Sequence, residues 1–131
     1  MAVFSLSLLD PNRMPTLFDL HTHSLYSDGI LRPQAVVSRA KAQGVTTLAL
    51  TDHDTVAGLA QAHQTAKQQG LNLIPGIELS CSWNKKTFHI VGLNINPESQ
   101  ELLAGIQNLQ VTRLDRAKKM AHKLEKNRIP G

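Results

Sequence analysis

Four histidines and five acidic residues hold most of the chemistry this sequence can do. His21 and His23 are two apart, Asp28 follows in a Gly-containing stretch, and His53, Glu78 and His89 come further along. On a strand, residues two apart point the same way. Two neutral imidazoles side by side are a common chelating pair for Zn, Mn or Fe. An isolated His-x-His is equally well a satisfied structural pair, but the joint pattern with Asp28, His53, Glu78 and His89 points to metal binding. Asp19 precedes the pair on the same face and is placed to orient a ligand imidazole through its second nitrogen. Asp52 and Asp54 flank His53; they either do the same or cap the helix expected to start near Thr55. His63 and His122 fall within helical stretches and read as ordinary. Cys81 reads as a small buried apolar residue. A single cysteine makes no Cys-x-x-Cys site, and no Gly-rich phosphate loop is present.

The elements that must position these groups alternate. Leu17 to His23 reads as a strand, with Asp19, His21 and His23 on one face. Ser27, Asp28 and Gly29 mark a loop. Pro33 opens a helix running to about Gln43, stopped by Gly44. Val45 to Thr51 is β-branched and apolar, as a buried strand should be. Thr55 to Gln69 reads as a helix ending at Gly70. Leu71–Pro75 and Ile77–Cys81 read as two short strands, Asn84 to Lys86 as a turn, and Phe88 to Ile95 as another strand. From Glu98 to about Asn127, apolar residues recur at spacings of three and four, which predicts a long helix with Gly105 as a candidate break. This order predicts parallel strands with right-handed crossovers. Functional groups then gather at the carboxyl ends of the strands. Four or five strands are too few to close such a barrel, which takes about eight.

At 131 residues the chain is one domain or part of one. Hydrophobic residues make up 41% and only five residues are aromatic, so the core must be mostly aliphatic. The lone cysteine excludes a disulfide framework and fits a reducing compartment. No apolar run reaches about 18 residues, so no membrane span is expected. Met1 to Arg13 lack the basic start of a signal peptide, which points to the cytoplasm. The net charge of +4 is local. Arg113, Arg116, Lys118, Lys119, Lys123, Lys126 and Arg128 face only Asp115 and Glu125, so this segment carries +5 and the remainder −1. Such a segment either attracts polyanions or is a solvated helix face with cations toward its C-terminus.

Asp19-Leu20-His21-Thr22-His23, Ser27-Asp28-Gly29, Thr51-Asp52-His53-Asp54-Thr55 and Gly76-Ile77-Glu78, in this order, resemble the PHP (polymerase and histidinol phosphatase) family. His89 matches its next ligand position. The resemblance runs from about Pro15 to the end of the chain. FDLHTHSLYSDG, ALTDHDTVAG and PGIELS are similar to the small stand-alone phosphoesterases of the TrpH, or ribonuclease AM, type. The resemblance implies an α/β fold: the N-terminal part of a distorted (β/α)7 PHP-type barrel, ending in a long basic helix. It divides the chain into an extension over 1–14, the N-terminal part of the metallophosphoesterase domain over 15–97, and the helix over 98–131.

The resemblance also implies a cluster of up to three divalent metals, manganese foremost, with iron or zinc as alternatives. His21 and His23 would bind one metal, and Glu78 would bridge it to a second that His89 also binds. Asp28 and His53 would bind the third, with Asp19 and Asp52 as outer groups. Arg113, Arg116 and Lys119 would help hold substrate. The implied reaction is hydrolysis of nucleotide phosphates: 3′-phosphate release from nucleoside 3′,5′-bisphosphates, and trimming of 5′-phosphorylated RNA from its 5′ end. The alternatives are a phosphomonoesterase of the histidinol-phosphate kind and a non-catalytic metal- or nucleic-acid-binding fragment. Relatives of this type are longer and carry a later histidine and a late Asp-x-His pair; this chain offers six of nine ligands. An incomplete barrel would leave a strand edge open to self-association.

Overall fold

The computed structural model describes residues 16–84 and 86–129. The extension expected over 1–14, Lys85 of the expected turn, and Pro130 and Gly131 lie outside the described residues. The elements are β1 (Phe18–Thr22), α1 (Pro33–Ala42), β2 (Thr47–Leu50), α2 (Leu59–Gln69), β3 (Asn72–Trp83), β4 (Lys86–Leu93) and α3 (Gln100–Lys126). They form one four-stranded sheet in the order β1-β2-β3-β4.

The core lies between the sheet and the first two helices. Val36, Val37 and Ala40 of α1 and Leu59, Ala62 and Ala66 of α2 meet Leu48 and Leu50 of β2. Val36 and Val37 lie four and three before Ala40, and Leu59, Ala62 and Ala66 are three and four apart, which puts each trio on one helix face. Every residue of β2 is buried, which explains its unbroken apolar character. Pro33 sits in the first turn of α1, where its missing N–H costs nothing. Gly70, with φ +61°, closes α2 in the left-handed region.

Several boundaries differ from expectation. α2 begins at Leu59 rather than Thr55, because residues 55–56 are irregular and 57–58 form a turn instead. The two short strands expected around Pro75 and Gly76 are one continuous strand, β3. Pro75 does not interrupt it because the strand changes partner there. Residues 72–75 pair parallel with β2, and residues 76–83 pair antiparallel with β4. β4 is thus antiparallel, not parallel: the turn at Asn84 (φ +49°) is far too short for a crossover. Gly105 does not break α3, which runs unbroken for 27 residues. Ser99 caps α3 by accepting from the Leu102 amide at 3.3 Å. Among the described residues, no helix is long and apolar enough to cross a membrane.

The partner change leaves no room at Gly76. A Cβ there would lie 2.7 Å from Thr51 Cγ2, 3.0 Å from the Leu50 carbonyl oxygen and 3.1 Å from that of Gly92. Two of the three obstacles are backbone and cannot swing away. Gly76→Ala is expected to destabilise the fold by about 2 kcal/mol, as overpacking does, read as a fall of several degrees in the thermal midpoint.

Candidate metal centre

β1 enters the site through an irregularity. Asp19 pairs with Leu48 but Thr22 pairs with Leu50, so three steps on β1 match two on β2. Such bulges re-aim side chains, and this one contains His21. His23 lies one residue past the strand end. His53 follows β2 and pairs with Glu78 through an isolated parallel bridge. Glu78 lies on β3 just beyond the partner change, and His89 projects from β4.

These elements converge on one carboxylate. Glu78 Oε2 lies 2.8 Å from His21 Nε2, 3.1 Å from His23 Nε2 and 3.6 Å from His53 Nε2. Its Oε1 lies 3.6 Å from His89 Nδ1. Asp28 joins from the loop after β1: its Oδ1 is 3.3 Å from His23 Nδ1 and its Oδ2 is 3.7 Å from His53 Nε2. The imidazoles form a chain with centroid separations of 5.0, 4.8 and 4.9 Å, in the order His21, His23, His53, His89. Three overlapping triads result: His21–His23–Glu78, His23–Asp28–His53 and His53–Glu78–His89, each with donor atoms within 4.8 Å of one another. All six residues singled out from the sequence are therefore brought together.

Glu78 is 6% exposed. Burial pushes its carboxyl pKa up. The hydrogen bond from His21 and the charges of His53, His21 and His23 pull it down further, and the net result lies below the ordinary value. The group is an anion facing four imidazoles. Nitrogen and carboxylate donors in this proportion suit a borderline divalent cation. His53 Nδ1 is buried without a hydrogen-bond partner among the described residues.

The two aspartates beside His53 have separate tasks, and neither caps α2. Asp52, 2% exposed, accepts the Ser24 amide and the Ser24 hydroxyl, both at 2.6 Å, and the Ser27 hydroxyl at 2.7 Å. It fastens the loop that carries Asp28, and Ser27 Oγ in turn lies 3.4 Å from His23 Nδ1. Gly29 closes this loop against the backbone of His23, whose carbonyl oxygen would be 2.5 Å from an added Cβ. Asp54 cannot cap a helix that starts at Leu59. Its Oδ1 accepts the Ser80 amide at 2.7 Å, and its Oδ2 is 3.3 Å from Arg113 Nη1 on α3. Asp19 lines a cleft with His21 and His23, but no hydrogen bond joins it to either imidazole.

A cleft of about 510 Å³ opens over His53 and His89, walled by Tyr26, Asp28 and Arg113. A larger one of about 740 Å³ lies between the β3–β4 hairpin and α3; it shares His89 and Arg113 and adds Ser80, Cys81 and Arg116. Lys119 lines neither cleft. Cys81 is half-buried rather than buried, because this end of β3 extends past β2 and has only β4 beside it. His63 is exposed, and among the described residues His122 meets only Glu125 on its own helix, at 3.9 Å. Ser24, Ser27 and Gln110 were not singled out as site residues from the sequence; Asp52, which both serines bond, lies 25 or more positions away, and no spacing reveals it.

The model of the PHP domain matches residues 19–127. The chain is 46% identical over 118 residues to a 5′-3′ exoribonuclease of Haemophilus influenzae, covering 90% of this chain and 43% of that protein. It is 46% identical over 113 residues to a 3′,5′-nucleoside bisphosphate phosphatase of Chromobacterium violaceum, covering 86% and 40%. A solved structure from Bifidobacterium adolescentis, proposed to be a metal-dependent phosphoesterase, superimposes with a TM-score of 0.78 at 29% identity, covering 87% of this chain and 40% of that one. The chain therefore spans about two fifths of the length of these relatives.

Asp52→Ala would strand the buried Ser24 amide and hydroxyl and free the part-buried Ser27 hydroxyl. The expected cost is about 3 kcal/mol, measured by chemical denaturation. Metal affinity, measured by titration, is expected to fall about 10–100-fold, as for other groups that orient ligands.

Proposed function

Because this chain belongs to the PHP domain family, we propose that the protein is a metal-dependent phosphoesterase that hydrolyses nucleotide phosphates. Its substrates in this reading are nucleoside 3′,5′-bisphosphates and 5′-phosphorylated RNA. The observation that carries the reading is the set of four imidazoles and Asp28 gathered around buried Glu78, with His89 of that set also lining a cleft that holds two arginines. The names of the two relatives, a nucleoside bisphosphate phosphatase and an exoribonuclease, support the nucleotide class.

His21, His23 and Glu78 are proposed to hold one ion. Glu78 and His89, with His53 nearby, would hold a second, and Asp28 and His53, with His23 nearby, a third. Manganese is the proposed metal, with iron or zinc suited to the same donors. When bound, such a cluster neutralises phosphate oxygens and supplies hydroxide at neutral pH. The side chains do the rest. Glu78, kept ionised, supplies negative charge that two sites share. Asp52 keeps the Asp28 loop in place. Arg116 is the cleft cation without a carboxylate partner among the described residues, and so the group proposed to meet a phosphate that is not being cleaved. Lys119, facing neither cleft, is given no part.

Elemental mass spectrometry of the purified protein is expected to find Mn, Fe or Zn, largely lost in His21→Ala. Glu78→Gln is expected to weaken metal binding by more than about 100-fold, beyond the range of an outer group. In a panel of substrates, the metal-loaded full-length protein should prefer adenosine 3′,5′-bisphosphate to histidinol phosphate. The opposite preference overturns the substrate class, and metal binding without turnover of any phosphate ester overturns the enzymatic reading.

A further inference from the structure

α3 is 27 residues long, yet only one of its side chains, Ile106, is buried. Apolar packing alone therefore holds it weakly, and its place beside the site must depend on specific contacts. Two of these reach the same residue. Gln110 Nε2 donates to the Asp54 carbonyl at 2.9 Å, and Arg113 Nη1 meets Asp54 Oδ2 at 3.3 Å. Gln110 and Arg113 are three apart, and Ile106 is four before Gln110, so all three share one face of the helix.

Asp54 is itself held on the other side. Its amide donates to the Glu78 carbonyl at 3.0 Å and its Oδ1 accepts the Ser80 amide at 2.7 Å. Its backbone sits in the left-handed region at φ +51°, which aspartate and asparagine tolerate better than most side chains. The carboxylate is 3% exposed, while the arginine is 57% exposed. The fixed partner is thus the buried anion, and the movable one is the helix.

We infer that Asp54 is a positioning residue: through Arg113 it locks α3 to the loop of His53 and to β3, and so sets the width of the cleft beside the metal donors. Arg113 acts through Asp54 and not on substrate. What enters the cleft rests on the phosphoesterase reading above; the locking of α3 does not.

The test uses the full-length protein loaded with manganese and compares Asp54→Asn, Arg113→Met and the double variant. Asparagine keeps the size, the backbone bonds and an acceptor for Ser80, while it removes the charge and presents an amide nitrogen, a donor, where the carboxylate met Arg113. Arg113→Met changes a largely exposed side chain, so folding is not in question. Each single change is expected to raise KM for adenosine 3′,5′-bisphosphate about tenfold while kcat and metal content stay near wild type. The double variant is expected to be no worse than either single one, because the pair acts as a unit. Arg113→Lys, which keeps the cation, should recover part of the loss. Amide hydrogen exchange over residues 100–126 should quicken alike in both single variants. The proposal is overturned if α3 exchanges at the wild-type rate in Asp54→Asn, or if Arg113→Met costs much more than Asp54→Asn and the two losses multiply. If the wild-type protein does not turn over the bisphosphate, the substrate reading falls, and the exchange measurement still decides the lock.

Discussion

A carboxylate 6% exposed, surrounded by imidazoles, is the constraint on which the site depends. Burying an unpaired charge is costly, and a buried carboxyl ordinarily keeps its proton. Glu78 escapes this because His21, His23 and His53 each present a ring nitrogen to the same oxygen. The dependence is mutual. With no anion between them, imidazole centroids 5 Å apart would make an electrostatically poor cluster once protonated or loaded with cations. The strand that carries Glu78 must therefore place it beyond the end of β2, where β1, the post-β2 segment and β4 can all reach it. The switch of β3 from a parallel to an antiparallel partner at Pro75–Gly76 achieves this, and Gly76 is the residue that lets three backbones meet.

Around that centre, two aspartates one residue either side of His53 hold different parts of the fold. Asp52 points toward β1 and ties down Ser24 and Ser27; Asp54 points toward β3 and α3. Each is nearly fully buried and each satisfies at least one backbone amide. His53 is thus positioned from both flanks by neighbours in its own segment. The site has a rigid floor, made of buried carboxylates and strand backbone, and a loosely attached wall, made of one helix.

Much of this was legible in the sequence because it is local. The His-x-His spacing, the carboxyl-end rule for strands and the gathering of His53, Glu78 and His89 near strand ends need only period-two and period-3.6 reasoning. The strand–helix order and the aliphatic core followed in the same way. What was not legible depends on distant partners. Thr51-Asp52-His53-Asp54-Thr55 reads as a strand followed by a helix start, and nothing local says that the helix waits until Leu59. Pro75 and Gly76 look like a break, since only the tertiary change of partner makes them compatible with one strand. The bulge at His21 leaves no trace in residue types.

The basic segment shows the same limit from another side. Its charge is plain in the sequence, but charge does not reveal which face of a helix meets the site. Ile106 fixes the phase of α3, and residues three, four and seven further on follow that face. Arg113 and Arg116 reach the cleft while Lys119 does not. The remaining cations are spread around a helix that is solvent-exposed along most of its length, so their sum of +5 overstates the field that a ligand in the cleft would meet. One of the two arginines that do face the cleft is already matched by Asp54. The attraction available to an anionic ligand thus comes less from the number of basic residues than from which one lacks a carboxylate partner among the described residues, and in this cleft that is Arg116.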